Sequence, residues 1–239
     1  MHIANKTILI TGANRGIGRA LVDEALRRGV KRVYAGTRGA LLHDDSRVTP
    51  VTLDVTSAAQ IQRATSEVDG LDVLVNNAGV AIFDDLSESD AIKRHLDVNV
   101  LGAFEVTRAF LPLLKHSRGA IVNILSLAAL APLRVVPSYS LSKAAALSMT
   151  QSLRAALAGQ GVKVHGVFLG PVDTDMTRGF AIPKASPEAA ARGILDGVEK
   201  NEDDIFPDPA SQAVTEGWRS GVVKALEREF AASAPGESQ

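Results

Sequence analysis

Short runs of β-branched and other apolar residues alternate along this chain with longer segments in which apolar positions recur every three or four residues. The short runs predict buried strands, and the longer segments predict amphipathic helices. We expect strands at 7–11, 32–37, 48–53, 72–76, 120–125, 163–168 and 204–206. We expect helices near 17–28, 58–67, 87–98, 102–116, 139–159, 187–200 and 210–230.

Regular alternation of strands and helices is typical of a parallel sheet. The predicted fold class is α/β, a Rossmann-type doubly wound parallel sheet of about seven strands with helices on both faces. No linker or repeat divides the chain, so we expect a single domain over 1–239 with a frayed tail at 234–239. About ten residues separate Thr37 from Val48, which leaves room only for a loop or a single turn. Ser57 and Ser186 are predicted N-caps.

The first predicted strand runs directly into a glycine-rich turn and then a helix, with the sequence Thr11-Gly12-Ala13-Asn14-Arg15-Gly16-Ile17-Gly18. Glycines let a backbone turn sharply and approach a pyrophosphate, and the first N–H groups of the helix point at its charge. The spacing is GxxxGxG rather than the commoner GxGxxG. By itself this pattern is also compatible with a tight turn that holds no ligand.

Composition excludes several classes of function. The chain has 239 residues, 46% of them hydrophobic and 22% charged, with a net charge of −1, so nothing favours nucleic acid or an anionic membrane. It has no cysteine, which excludes disulfides and thiolate metal sites. No metal is expected, because the five histidines lack ligand spacing and are predicted surface or packing residues: His2, His43, His95, His116 and His165.

The location of the protein is expected to be the cytoplasm. No apolar run approaches the ~20 residues of a membrane span, so no membrane partner is expected. Because the first strand begins within a few residues of Met1, we expect no signal or transit peptide.

Four further segments follow the glycine turn in a fixed order: Asp54-Val55, Asn76-Asn77-Ala78-Gly79, Asn99, and Ser126 followed by Tyr139-Ser140-Leu141-Ser142-Lys143. Together with the glycine turn, this order resembles the short-chain dehydrogenase/reductase family from Thr11 to about Thr174. The combination is far more specific than any one of its parts. The resemblance implies an NAD(P)-dependent oxidoreductase.

Tyr139 and Lys143 are i and i+4 on a predicted helix, so they lie on the same face. A free phenol has a pKa near 10 and is a poor proton relay at neutral pH. We expect the Lys143 ammonium, together with a positively charged oxidised nicotinamide, to lower the pKa of Tyr139 toward neutrality. The alternative is a buried tyrosine with a snorkelling lysine.

Ser126 follows a predicted strand at the carboxyl edge of the sheet, where its hydroxyl could hold a substrate carbonyl oxygen beside Tyr139. Ser138 is an alternative for that role, but its position favours a helix cap. The resemblance implies that Asn99 holds a water in a proton relay to Lys143. The expected catalytic residues are therefore Asn99, Ser126, Tyr139 and Lys143.

The resemblance also implies a cofactor site. In the family, Asp54 bonds the adenine amino group, the backbone at Asn77 lies beside the adenosine ribose, and Val172 and Thr174 hold the nicotinamide carboxamide. Leu169 departs from the family's usual proline before Gly170, and we expect only a difference in loop rigidity. The expected cofactor-binding residues are Gly12, Asn14, Arg15, Gly16, Ile17, Gly18, Thr37, Arg38, Asp54, Val55, Asn77, Ala78, Gly79, Tyr139, Lys143, Val172 and Thr174.

The cofactor is expected to be NADP(H) rather than NAD(H). An acidic residue at the end of the second strand would bind both ribose hydroxyls, but Thr37 stands there, followed by Arg38. Arg15 and Arg38 together suit a 2′-phosphate, because guanidinium groups form charge-assisted bidentate bonds. Two solvated surface arginines are the other interpretation.

The expected function is that of a ketoreductase or alcohol dehydrogenase, in which Tyr139 is the general acid/base for a small-molecule ketone, aldehyde or alcohol. The alternatives are a dinucleotide-binding regulatory module without turnover, reduction of a C=N bond, or a lyase on the same scaffold. Asp175 to Ala185 would form a lid whose apolar members are Met176, Phe180 and Ile182. Apolar residues on more than one side of helices 102–116 and 139–159 predict a homodimer or homotetramer.

Overall fold

The computed structural model describes residues 1–232 and has the predicted α/β architecture; the tail 234–239 lies outside the described residues. Its centre is a parallel seven-stranded sheet in the order β3-β2-β1-β4-β5-β6-β7. The strands are β1 Thr7–Thr11, β2 Arg32–Thr37, β3 Val48–Thr52, β4 Val73–Asn76, β5 Ala120–Ile124, β6 Lys163–Val167 and β7 Asp204–Ile205. The strand order reverses between β1 and β4, and such a switch point opens a ligand crevice at the carboxyl ends of the strands.

In the described part of the chain the α-helices are α1 Gly16–Arg27, α2 Ala58–Glu67, α3 Ser89–Leu96, α4 Ala103–Ser117, α5 Pro137–Ala156, α6 Pro187–Glu199, α7 Pro209–Gln212, α8 Thr215–Ser220 and α9 Val222–Ala232. A π-helical segment, Asp97–Gly102, joins α3 to α4. Short 3₁₀ turns lie at Leu127–Ala129 and Asp175–Thr177.

The sheet is covered on both faces, as a parallel sheet requires. On one face α1 and α6 pack against each other and bury apolar side chains such as Leu21 and Ile194. On the other face α2, α4 and the end of α5 enclose a second core around Phe110. Pro50 lies within β3 at the edge of the sheet, where a missing N–H is tolerated.

Most predicted boundaries hold within two residues, and two predictions about helices need correction. The predicted helix 210–230 is three helices, because Ala213 and Val214 leave the helix and Gly221 is extended at the start of α9. The predicted helices 87–98 and 102–116 are joined without a loop through the π-helical segment. The segment after Thr37 contains no helix, as predicted, and Ser57 and Ser186 accept the predicted capping hydrogen bonds.

The C-terminal helices are fixed to the sheet by a buried charged cluster around Asp204. Its carboxylate accepts hydrogen bonds from Trp218 Nε1 (2.7 Å) and Arg154 Nη2 (2.9 Å) and pairs with Lys224 (2.6 Å). These partners hold the pKa of Asp204 below its usual value although burial acts in the opposite direction. Between residues 1 and 232, no helix is long and apolar enough to cross a membrane.

Candidate active site

The predicted site residues meet at the carboxyl edge of the sheet, because the parallel strands all end there. The glycine turn follows β1, Asn77 follows β4, Ser126 follows β5, and 170–174 follows β6. The sequence places these segments far apart, and the sheet order brings them to one crevice.

The glycine turn is fixed to the loop after β4 through the side chain of Thr11. The Thr11 hydroxyl donates to the carbonyl of Val75 (3.3 Å) and accepts the backbone N–H groups of Asn77 and Ala78 (3.0 Å each). The Asn77 side-chain amide donates back to the carbonyl oxygens of Thr11 (2.9 Å) and Gly12 (3.2 Å). The two loops at the switch point are therefore one hydrogen-bonded unit.

The glycine turn has the shape of an anion cradle. Gly12 and Gly16 have φ of +67° and +52°, which side-chain-bearing residues rarely adopt. A Cβ on Gly18 would lie 2.1 Å from the Gly12 carbonyl oxygen, so only glycine allows α1 to start this close to the turn. The α1 N-terminus has no side-chain cap and no acidic residue in its first turn, which fits a bound pyrophosphate.

Residues expected at the adenosine end lie after β2 and β3. Asp54 accepts hydrogen bonds from the backbone and hydroxyl of Thr56, and these bonds, with the charge of Arg38, lower its pKa. Val55 is buried, and a Cβ on Gly102 of the π-helical segment would lie 2.7 Å from its methyl group. Thr37 is buried, and its hydroxyl donates to the carbonyl of Gly39.

The two arginines expected to act together belong to different neighbourhoods. Arg15 pairs with Asp175 in the predicted lid (3.1 Å), and Arg178 pairs with the same carboxylate. Arg38 is exposed and acts on Asp54. Arg38 is therefore the arginine that remains beside the predicted adenosine site, while Arg15 connects the glycine turn to the lid.

At the predicted nicotinamide end, the segment after β6 contacts the glycine turn. A Cβ on Gly16 would lie 3.1 Å from the methyl group of Thr174. Val172 forms a parallel β-bridge with Ala185, so the two ends of the lid are joined. The lid is thus closed on itself and lies beside the start of α1.

Tyr139, Lys143 and Ser126 lie together, as their spacing predicts. Lys143 is buried on α5, its Nζ lies 5.7 Å from the centre of the Tyr139 ring, and it donates to the Ile124 carbonyl oxygen (2.7 Å). The Ser126 hydroxyl lies close enough to the Tyr139 phenol to oppose the rise of its pKa by hydrogen bonding. Ser126 Oγ also accepts the Ala128 N–H (3.1 Å). Tyr139 therefore lies beside the Ser126 hydroxyl and the Lys143 ammonium.

The expected lowering of the Tyr139 pKa is not produced by these side chains alone. Burial raises the pKa of the phenol, and the hydrogen bond with Ser126 opposes this effect. Burial also lowers the pKa of Lys143 to about 8, because the charged ammonium loses hydration. The spacing of the two residues does not show that Lys143 is buried, that Tyr139 is partly buried, or that the Lys143 ammonium is bonded to a backbone carbonyl.

The Asn99 side chain connects Val80 to Ser142, and its amide oxygen and both amide hydrogens are hydrogen-bonded within the protein. Its Oδ1 accepts the Val80 N–H (2.9 Å), and its Nδ2 donates to the Val80 carbonyl (3.0 Å) and to Ser142 Oγ (2.9 Å). The residue lies in the π-helical segment, a local irregularity that is frequent at functional sites. Both of its amide hydrogens have protein acceptors, so a water in the implied relay would have to bond elsewhere on this residue.

Sequence reasoning missed two contacts around α5, one at Ser138 and one at Tyr139. Ser138 is not the predicted cap, since the N-cap of α5 is Val136; instead its hydroxyl donates to Asp84 (2.7 Å). His95, predicted as a surface or packing residue, is a buried packing residue. The centres of the His95 and Tyr139 rings lie 6.2 Å apart in an edge-to-face arrangement. Nothing in the local sequence distinguishes Asp84 from its neighbour Asp85.

The mouth of the site is apolar. Phe180 of the lid stacks on Phe83 from the loop after β4, with ring centres 5.6 Å apart. Other large apolar side chains of the lid and of the loop before Tyr139 are exposed: Leu130, Leu133, Val135, Met176 and Ile182. Exposed apolar side chains grouped around a crevice are typical of a binding surface.

Comparisons with known proteins agree with this geometry. The family model described as short chain dehydrogenase matches residues 6–183. A solved short chain dehydrogenase from Burkholderia cenocepacia, in complex with NADP, superposes with a TM-score of 0.88 at 35% identity, covering 98% of this chain and all of that one.

Curated relatives are dehydrogenases with different substrates in their names. The chain is 34% identical to 2-(S)-hydroxypropyl-CoM dehydrogenase 3 of Xanthobacter autotrophicus, over 81% of this chain and 82% of that protein. It is 34% identical to 2,3-dihydro-2,3-dihydroxybenzoate dehydrogenase of Escherichia coli, over 81% and 80%. It is 35% identical to estradiol 17-beta-dehydrogenase 2 of Rattus norvegicus, over 74% of this chain but only 50% of that longer protein.

The close approach at Gly18 predicts that Gly18→Ala is strongly destabilising. Alanine improves helix propensity by about 1 kcal/mol, but its Cβ would meet backbone at 2.1 Å, so the turn must move. We expect a loss of about 2–3 kcal/mol in the free energy of unfolding, as overpacking costs, measured by urea titration. Gly70→Ala is the control, because nothing lies within 4 Å of its Cβ position. Equal stability of the two variants would contradict the close approach of Gly18 to the Gly12 carbonyl oxygen.

Proposed function

The chain belongs to the short chain dehydrogenase family, and we propose that it is an NADP(H)-dependent carbonyl reductase or alcohol dehydrogenase with Tyr139 as general acid/base. The observation that carries the proposal is the meeting of Tyr139, Ser126 and Lys143 beside the glycine turn. The bound cofactor would supply or accept the hydride. Each of the three side chains has a separate role in moving or holding the proton.

In the reducing direction, Tyr139 would donate its hydroxyl proton to the substrate oxygen as negative charge develops there. Ser126, in contact with the Tyr139 hydroxyl, would donate a second hydrogen bond to the same oxygen and stabilise that charge. Lys143 favours the tyrosinate left after proton transfer, because a nearby positive charge stabilises a phenolate. In the oxidising direction the same tyrosinate accepts the proton of the alcohol.

The cofactor would lie along the glycine turn, with its pyrophosphate at the uncapped start of α1. Asp54 and the backbone at Asn77 are proposed to hold the adenosine, and Val172 and Thr174 the nicotinamide. The preference for NADP(H) rests on Arg38 and on the absence of an acid at Thr37. The NADP complex of the Burkholderia cenocepacia relative supports it.

The substrate is proposed to be an uncharged ketone or alcohol with an apolar body. Exposed apolar side chains are grouped at the mouth of the site, although Arg134 in the loop before Tyr139 is exposed there as well. The two cations of the lid have carboxylate partners: Arg178 pairs with Asp175, and Lys184 with Asp173 (3.7 Å). Apolar walls around a few polar groups bind such compounds by burial, while the polar groups orient the reacting carbonyl.

A regulatory module that binds the dinucleotide without turnover is the second candidate function. It would need the glycine turn but not a tyrosine and a lysine placed against Ser126, so the geometry of α5 favours the enzyme. Reduction of a C=N bond would use the same hydride chemistry with a nitrogen in place of the oxygen. An imine in the substrate panel distinguishes that reaction.

Removing the phenol hydroxyl tests the assignment of Tyr139. We expect Tyr139→Phe to lower kcat by about 10²–10⁴-fold, because a general acid is lost while the ring is kept. Dinucleotide affinity, measured by fluorescence titration, should stay near that of the wild type. Tyr34→Phe is the matched control, since Tyr34 is the other tyrosine of the chain and lies in β2. Turnover is followed by oxidation of reduced cofactor with a panel of apolar ketones, and near-normal turnover by Tyr139→Phe would refute the mechanism.

Cofactor preference depends on the charge at Arg38. We expect the wild type to have a higher kcat/KM with NADPH than with NADH. Arg38→Leu should lower the NADPH value by about 10-fold, because one charge-assisted interaction is lost, and leave the NADH value nearly unchanged. Arg63→Leu, at an exposed arginine of α2, is the control. A wild-type preference for NADH would refute the proposed NADP(H) preference.

The protein is proposed to be a homodimer or homotetramer through α4 and α5. Phe104 and Leu141 on these helices are 39% and 43% exposed, and Leu101 beside them is 54% exposed. In the family these helices pair with their symmetry mates as a four-helix bundle. Light scattering should give two or four times the chain mass of 25.1 kDa. A mass equal to one chain would show that this surface is not an interface.

A further inference from the structure

Residues 80–84 of the loop after β4 are bonded to three helical segments around Tyr139, and we call these residues the strap. Both backbone groups of Val80 bond the Asn99 side chain. The Ile82 N–H donates to His95 Nε2 (3.0 Å), and the Asp84 carboxylate accepts from Ser138. Every second residue of the strap is therefore hydrogen-bonded to the helices that surround Tyr139.

The contact between Asp84 and Ser138 joins the strap to the start of α5. Asp84 Oδ1 accepts the Ser138 hydroxyl (2.7 Å), and Oδ2 accepts the Ser138 backbone N–H (3.3 Å). Ser138 is buried, and the next residue in the chain is Tyr139. Asp85, by contrast, is exposed and bonds only locally, to the Ser87 N–H (2.9 Å).

Helix α5 lacks a cap of its own. The N-cap residue Val136 offers no side-chain hydrogen bond, and Pro137 at the first helical position has no N–H. The Ser138 N–H is therefore the first donor of this 20-residue helix. Asp84 accepts that donor from outside the helix and places a negative charge at the positive end of the helix dipole.

We propose that Asp84 is a positioning residue that caps the catalytic helix from the strap and, through Ser138, holds Tyr139 in its reactive place. The inference rests on the proposed function for its effect on turnover. Asp84 does not contact the reacting atoms. It restrains the helical turn that carries the tyrosine hydroxyl, and a small displacement of that hydroxyl from Ser126 slows proton transfer.

The strap also faces the lid. Phe83, between Ile82 and Asp84, stacks on Phe180 of the lid. Asp84 and Phe83 are consecutive residues that connect the first turn of α5 to the lid across the mouth of the site. The strap can therefore fix the position of Tyr139 relative to Phe180 of the lid.

The test measures kcat per cofactor-binding site in four variants: Asp84→Ala, Asp84→Asn, Ser138→Ala and the double alanine variant. We expect Asp84→Ala to lower this kcat by about 10-fold, because a small misplacement of a catalytic group is costly. Ser138→Ala should lose less, because it keeps the backbone N–H bond to Asp84. The dissociation constant for the cofactor should stay within about twofold, since the glycine turn does not contact Asp84. Asp84→Asn, which keeps an acceptor oxygen, should lose less.

The double alanine variant should be no slower than Asp84→Ala alone, because Asp84→Ala already removes both bonds to Ser138, the one from its hydroxyl and the one from its backbone N–H. Asp85→Ala is the matched control and should leave kcat unchanged. A purely structural role would lower the number of cofactor-binding sites and leave kcat per site unchanged. That result, or losses that multiply in the double variant, would overturn the proposal.

Hydrogen exchange keeps this proposal separate from the proposed function. Asp84→Ala and Ser138→Ala should speed amide exchange in the first turns of α5 and not in α1, and Asp85→Ala should change neither. If the wild type reduced none of the carbonyls, the proposed function would fail, and exchange would still decide whether Asp84 caps the helix. Unchanged exchange in α5 would refute the cap whether or not the enzyme turns over.

Discussion

The candidate site depends on the hydrogen bonds that the Thr11 hydroxyl makes. It bonds the ends of β1 and β4, the two neighbouring strands at which the sheet reverses its order, and the Asn77 amide completes the connection. This joint sets the distance between the glycine turn and the strap. The strap in turn bonds Asn99 of the π-helical segment, His95 of α3 and Ser138 of α5, so the proposed cofactor cradle and the proposed proton donor share one framework.

Burial gives the site its electrostatic character. Both Tyr139 and Lys143 are poorly hydrated, so burial raises the pKa of the phenol and lowers that of the ammonium, and both shifts favour neutral forms. In such a setting a developing tyrosinate needs added positive charge. The oxidised nicotinamide is positively charged, so in the proposed reaction the cofactor itself would complete the environment that ionises Tyr139.

Local patterns in the sequence were sufficient for the elements and for the family. β-branched runs mark the strands, and the glycine turn with Tyr139 and Lys143 identifies the family that the comparisons show. The missed features depend on contacts between distant segments. Asp84 bonds Ser138, which lies 54 residues further along the chain, and Arg15 pairs with Asp175, which lies 160 residues further along. No local pattern in the sequence reveals contacts of this kind. Spacing likewise indicates that Tyr139 lies near Lys143, but not that desolvation of both groups opposes their ionisation.

In the proposed reaction a hydride passes directly between the nicotinamide and a carbonyl carbon held beside Tyr139. The most direct measurement uses NADPH with deuterium at both hydrogen positions of the reactive carbon and analyses the alcohol product by mass spectrometry. We predict one deuterium per product molecule, at the carbon that carried the oxygen, formed in step with cofactor oxidation. Product without the label, or cofactor oxidation without alcohol, would contradict the account.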